Sequence, residues 1–161
     1  MKPNNLPSRV HLIKAAQTIK PWIHNTPVVI SSYLNDLSGA SLFFKCEQLQ
    51  RMGAFKMRGA VNAIHDLDPE QRKRGVVTHS SGNFGQAVAL AAKLMGLKAD
   101  VVMPLGTPKV KRDAVINYGA KVTDCDPNLA ARESATRLIV ENTGATALHP
   151  SNSLPVILGN A

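Results

Sequence analysis

Apolar residues recur along this chain at two alternating spacings, one helical and one extended. Val10, Ile13 and Ile19 follow Ser8 at helical spacing, so Ser8 can cap a first helix, which Pro21 stops. Residues 26–30 form a short β-rich run. Ser31 then caps a brief helix through Leu34 and Leu37 that Gly39 ends. Residues 41–47 are again short and apolar, which suits a second strand.

Beyond this point the rhythm is regular. A polar, glycine-containing loop over 48–54 leads into a helix predicted over 55–67. A β-rich run at 75–78, the loop Ser80-Ser81-Gly82-Asn83 and a small-residue helix over 84–95 follow, with Gly96 as its stop. Residues 99–103 read as a buried strand. Thr107-Pro108 reads as a cap and first-turn proline for a helix towards Tyr118. A strand at 121–123 precedes a second such start, Asp126-Pro127, for a helix ending near Gly144; the last strand is 145–148. This order predicts an α/β fold: an open twisted parallel sheet with right-handed crossovers and helices on both faces. Ligands of such sheets sit beyond the carboxyl ends of the strands.

Composition supports this reading. The 161 residues are 44% hydrophobic and only 4% aromatic, so the core must be aliphatic, as buried parallel strands require. The formal charge of +8 admits nucleic acid, an anionic membrane or a phosphate-bearing small molecule as partner. The basic residues are spread along the chain, and the densest run, Arg72-Lys73-Arg74, sits in a helix-to-strand turn, has no interleaved aromatics and reads as a solvated corner. Cys46 and Cys125 form no motif and read as reduced thiols in or near the core. With no signal peptide or membrane-length apolar run, the expected location is the cytoplasm.

Two loops could carry chemistry. In Gly53-Ala54-Phe55-Lys56-Met57-Arg58-Gly59-Ala60, Lys56 opens a helix, where the helix dipole and desolvation by Phe55 and Met57 both disfavour an ammonium. A neutral amine there can form a Schiff base with an aldehyde. Taken without further context, an ordinary surface lysine beside Arg58 is the simpler reading. The second loop, Ser80-Ser81-Gly82-Asn83-Phe84-Gly85-Gln86, offers free backbone N–H groups at a helix start, which favour a carboxylate or phosphate. A capped turn without ligand is equally compatible. The loop is neither a Walker sequence nor a dinucleotide fingerprint.

Several ordered segments together resemble the serine/threonine dehydratase and serine racemase family of pyridoxal-phosphate enzymes. They are Phe43-Phe44-Lys45-Cys46-Glu47, Phe55-Lys56-Met57-Arg58-Gly59-Ala60 and Thr78-His79-Ser80-Ser81-Gly82-Asn83, followed by Met103-Pro104, Pro108-Lys109-Val110-Lys111, Tyr118-Gly119-Ala120 and His149-Pro150. The likeness runs from about Thr26 onward, and its Phe-Lys-x-Arg-Gly-Ala form favours this branch over the cysteine synthase and tryptophan synthase branches. It implies a tryptophan-synthase-like fold and pyridoxal 5'-phosphate as cofactor. By resemblance, Lys56 matches the lysine that holds the cofactor and moves the substrate α-proton. Phe55 matches the residue packed on the cofactor ring, and Asn83 the partner of the ring hydroxyl. Ser80 and the surrounding loop, Ser81, Gly82 and Asn83, match the substrate carboxylate site. Ser81 matches the acid or base that racemases use on the face opposite the lysine. Loss of the α-proton and β-hydroxyl would yield a 2-oxo acid and ammonia; reprotonation from the Ser81 side would invert the amino acid. The implied partner is a small hydroxy amino acid, with no nucleic acid or membrane, and with a homodimer or an association with a full-length relative as the protein-level expectation.

The chain also departs from the pattern. Ala54 replaces a frequent serine, Phe84 replaces the usual histidine after Asn83, and the turn after His149-Pro150 carries an extra residue, so no role passes to Asn152. By resemblance, residues 1–45 belong to an incomplete large domain, 46–148 form the small domain with Lys56 and the Ser-Ser-Gly-Asn loop, and 149–161 begin the return to the large domain. The family's phosphate cup, pyridine-nitrogen partner and divalent-cation site would lie in a second half not represented here. A weak or inactive polypeptide, or a non-catalytic partner of a full-length relative, is therefore an alternative expectation. A basic nucleic-acid-binding domain is another. His24, His79 and His149 have no metal-ligand spacing, and Ser31-Ser32-Tyr33 with Arg51-Met52 resemble the nucleotide-effector region of serine racemases only in position.

Overall fold

The computed structural model describes residues 7–161. Four parallel strands, β3 (Val76–His79), β4 (Ala99–Pro104), β5 (Lys121–Cys125) and β6 (Thr146–Ala147), form one sheet in the order β5-β4-β3-β6. A separate antiparallel ribbon, β1 (Val28–Val29) with β2 (Phe44–Lys45), pairs Val28 with Lys45 and Val29 with Phe44. The helices are α1 (Arg9–Ile19), α2 (Ser32–Ser38), α3 (Lys56–His65), α4 (Pro69–Arg74), α5 (Asn83–Met95), α6 (Lys109–Asn117), α7 (Leu129–Thr143) and α8 (Leu154–Asn160). No described helix is long and apolar enough to cross a membrane.

Strand alternation divides the core between the two faces of the sheet. Val76, Val101 and Met103 join Ala87, Val88, Ala89 and Val115 of α5 and α6, and α3 packs behind α5. Val77, Val102 and Cys125 instead meet Ala131, Ala135 and Ile139 of α7. Each fully buried valine contributes about 1.5–3 kcal/mol, and the small residues of α5 let it lie close to the strands. Gly85 shows how close: a Cβ there would stand 2.8 Å from the Ser80 carbonyl oxygen and 2.9 Å from Val101 Cγ1.

Several local expectations hold. Ser31 accepts from the Leu34 N–H, Gly39, Gly96 and Gly144 end their helices in the left-handed conformation, and Cys46 and Cys125 are free and buried. Others need correction. The helix ending at Arg72-Lys73-Arg74 is not the end of the one predicted over 55–67 but a separate element, α4, whose cap Asp68 accepts from Gln71 N–H while Gln71 Oε1 accepts from Asp68 N–H. Cations at a helix C-terminus complement its dipole, which accounts for the cluster. Thr107 does not cap α6, because its hydroxyl donates back to Pro104 O at 2.7 Å. Asn128, not Asp126, caps α7, its Oδ1 accepting from Ala131 N–H at 2.8 Å. Residues 154–160, left unassigned by periodicity, form α8. The two N-terminal strands are shorter than predicted, and their apolar residues remain exposed.

Candidate active site

Strand order decides where a ligand can enter. From β3 the chain steps outward through α5 to β4 and through α6 to β5, then returns through α7 to β6 on the far side of β3. The topological switch point therefore lies between the carboxyl ends of β3 and β6, where crevices form in open α/β sheets. The segment after β3 is Ser80-Ser81-Gly82-Asn83; the segment after β6 is Leu148-His149-Pro150.

Lys56 reaches this point. It is the first residue of α3 and half-buried, and its Nζ donates to Pro150 O at 3.2 Å. The Phe55 ring centroid lies 5.1 Å from Nζ and the Phe84 centroid 5.9 Å. Phe84 is buried in the first turn of α5, so this contact joins the lysine to the start of α5. The apolar wall differs from the sequence expectation. Phe55 takes part, but Met57 is fully buried in the core with Val61 and Ile64, and Phe84 takes its place.

The lysine's direction is over-determined by its supports. Met52 (φ 56°) and Gly53 (φ 75°) are consecutive left-handed residues that turn the chain into α3, and Met52 holds that conformation while packed against the core. A left-handed non-glycine residue costs about 1–3 kcal/mol. Behind the lysine, α3 crosses α8 through glycines. A Cβ on Gly59 would stand 2.7 Å from Val156 O, and one on Gly159 2.6 Å from Arg58 O. Asn160 Oδ1 accepts from Gly59 N–H, and Asn62 Nδ2 donates to Pro155 O. Arg58 makes a two-pronged pair with Glu47 at 2.8 and 2.6 Å, and the same carboxylate accepts from Thr26 Oγ1 at 2.5 Å. The guanidinium, aided by Thr26, holds the Glu47 carboxyl down to about 2.

The β3–α5 loop supplies the polar side. Ser80 N–H donates to Val102 O, and Ser80 Oγ accepts from Gly82 N–H at 3.2 Å, which tightens the turn. Ser81 and Gly82 are partly exposed, and Asn83, the first residue of α5, is exposed. Among the described residues, no hydrogen bond engages the side chains of Ser81 or Asn83. The first-turn N–H groups of α5 add the anion preference of a helix N-terminus. An amine walled by two aromatic rings fits an aromatic aldehyde, and the loop beside it suits an anionic group such as a carboxylate. The structure thus brings Lys56, Phe55 and the beginning of α5 to one crevice, with Ser80, Ser81, Gly82 and Asn83 on the loop bordering it.

Pro150 was not singled out for the lysine by the sequence, because the contact uses its backbone. His79 and His149 do meet, edge to face at 5.6 Å between ring centroids; burial, and then His149, hold the His79 imidazole below its ordinary range. His24 is elsewhere, its N–H donating to Gln50 Oε1. Among the described residues, no cluster of three His, Cys, Asp or Glu side chains could hold a metal. A cavity of about 580 Å³ lies at the opposite end of the sheet. Its lining cations Lys73 and Arg74 meet the C-terminal end of α4, so they compensate helix dipoles there.

A model of the family "pyridoxal-phosphate dependent enzyme" matches residues 19–161. The chain belongs to that family. It is 51% identical over 146 residues to a serine racemase of Arabidopsis thaliana, covering 91% of this chain and 44% of the relative. It is 45% identical over 154 residues to a β-hydroxyaspartate dehydratase of Paracoccus denitrificans, covering 96% of this chain and 49% of the relative. The crystal structure of serine racemase from Dictyostelium discoideum superposes with a TM-score of 0.89 at 48% identity, covering 93% of this chain and 49% of that one. The chain spans about half the length of the relatives it matches.

Proposed function

We propose that this chain carries the lysine-bearing part of the active site of a pyridoxal-phosphate enzyme acting on small hydroxy amino acids, by ammonia elimination or by racemisation. The observation that carries the reading is Lys56 Nζ at the β3–β6 switch point, set between the Phe55 and Phe84 rings and bonded to Pro150 O. Serine racemases and a β-hydroxyaspartate dehydratase among the relatives supply the substrate class.

In this reading Lys56 holds the cofactor through Nζ. Phe55 packs against the ring and Asn83 bonds its hydroxyl. When bound, pyridoxal phosphate supplies the electron sink for carbanion chemistry at the substrate Cα. Ser80, Ser81, Gly82 and Asn83, at the start of α5, orient the substrate carboxylate. Lys56 Nζ takes the α-proton from one face, and Ser81 Oγ delivers or accepts a proton on the other. Phe84 keeps water from the amine. In the same reading the family's phosphate cup and divalent-cation site are contributed from outside these 161 residues. The cytoplasm is the proposed location.

Association with a second polypeptide, a like copy or a full-length relative, is a companion reading. It is favoured by the apolar residues around the β1–β2 ribbon, where Phe43 and Tyr33 are 71% and 72% exposed. A nucleic-acid partner is not proposed, because the basic residues are spread along the chain and their densest run, Arg72-Lys73-Arg74, closes α4 with no interleaved aromatics.

The test is cofactor trapping. Pyridoxal phosphate is added to the purified chain, reduced with borohydride, and the modified lysine located by peptide mass. Label confined to Lys56 and abolished in Lys56→Ala supports the assignment; label scattered over many lysines, or none, overturns it.

A further inference from the structure

We propose that His149 is a positioning residue for the Lys56 amine, acting through the turn that its ring holds. The inference rests on Lys56 as the reactive amine and adds a device that sets where that amine points.

The turn is pinned from both ends. Leu148 N–H donates to Val77 O at 2.8 Å, and its carbonyl accepts from the buried Thr78 hydroxyl at 2.7 Å, so the chain leaves β6 in one direction. One residue later the imidazole folds over the backbone that follows it. His149 Nδ1 accepts from Ser151 N–H at 3.2 Å and from Asn152 N–H at 2.8 Å. Both bonds need the lone pair of Nδ1, so the proton of the neutral ring sits on Nε2. Pro150 lies inside the loop so closed, and its own ring restricts φ. The carbonyl of Pro150, within this braced turn, accepts from Lys56 Nζ at 3.2 Å. The His79 ring stands perpendicular to the imidazole, and Glu133 and Arg137 of α7 line the same small cavity.

This arrangement makes a specific demand on residue 149: a side-chain acceptor two and three residues before the N–H groups it binds. Asparagine can meet it, since its Oδ1 makes the same local turn. Leucine has similar bulk and no acceptor.

The test uses the whole chain and no cofactor. Limiting acetic anhydride labels the lysines in competition, with exposed Lys109 as internal standard, and amide exchange is followed at Ser151 and Asn152. In His149→Leu, exchange of the Asn152 amide and labelling of Lys56 relative to Lys109 should each rise about 2- to 10-fold, the worth of one lost hydrogen bond. His149→Asn should stay near the unsubstituted protein in both. Unchanged Lys56 labelling in a folded His149→Leu chain, or a His149→Asn chain that behaves like the leucine variant, overturns the proposal. Nitrogen shifts of the His149 ring in the unsubstituted protein give a check independent of any variant: Nε2–H with bare Nδ1 supports it, and the reverse tautomer overturns it. Failure of cofactor trapping at Lys56 would overturn the enzymatic reading and leave these outcomes unaffected.

Discussion

Replacing Glu47 by glutamine tests how the N-terminal ribbon is tied to the helix that carries Lys56. The Glu47 carboxylate receives Arg58 Nε and an Arg58 terminal nitrogen from α3, two residues beyond the lysine, and the Thr26 hydroxyl from the approach to β1. Its ordinary value of 4.5 falls to about 2. The free-energy equivalent of that gap is at most about 3.4 kcal/mol. Carboxylate and guanidinium are each 17% exposed, so solvent screening lowers the contribution to about 1.5–3 kcal/mol.

The sign follows from linkage. Because the folded state lowers this carboxyl, the unfolded chain binds the extra proton, and stability falls as the pH falls. The contribution is complete above about 4.5 and disappears as the pH drops towards 2. Urea unfolding across that window should show Glu47→Gln less stable than the unsubstituted chain by about 1.5–3 kcal/mol near neutrality. The two curves should converge in acid. Other carboxylates titrate there too, but they are common to both proteins and cancel in the difference. A gap that stays constant between neutral pH and the acid end would refute the reasoning, since the Glu47 charge would then contribute nothing specific.

Two further outcomes follow from packing. Gly85→Ala should destabilise the chain by about 1–3 kcal/mol in urea titrations, because the added Cβ meets the Ser80 carbonyl and Val101; it should also lower Lys56 trapping, since the start of α5 must move. Cys125 is buried, and burial pushes its thiol up. Its alkylation by iodoacetamide should be slow in the folded chain and fast in denaturant, and rapid modification of the native protein would contradict the α7 packing.

Much of the fold was legible because its cues are local. The β3 to β6 alternation reads directly from apolar runs separated by helical spacing, and Gly39, Gly96 and Gly144 end helices in the left-handed conformation as expected. Cap identity was less legible where two polar residues compete. At 126–128 both Asp126 and Asn128 precede the helix, and the proline between them does not say which one caps it. At Thr107 the hydroxyl finds a nearer acceptor in the preceding turn. The helix α4 carries the same Asp-Pro start at Asp68-Pro69 but too few residues for a periodic signal, so only the helix-to-strand turn at its end is legible.

The site divides along the same line. Lys56, Phe55 and the Ser80–Asn83 loop are side-chain and motif features, and their place at strand ends follows once the sheet is known. The strand order itself is not local. That β6 returns beside β3, and thereby opens the crevice there, depends on a crossover of the whole chain through α7. The groups that direct the lysine are less visible still, since Pro150 contributes only its carbonyl and Gly59 and Gly159 contribute the absence of a side chain. A residue whose role is to present its backbone, or to be small, leaves little trace in a hydrophobic pattern. His149 belongs partly to this class: its ring is visible in the sequence, but its work is to hold two amides of the turn that meets Lys56. The direction of the Lys56 amine is therefore set largely by backbone that only the folded chain brings together.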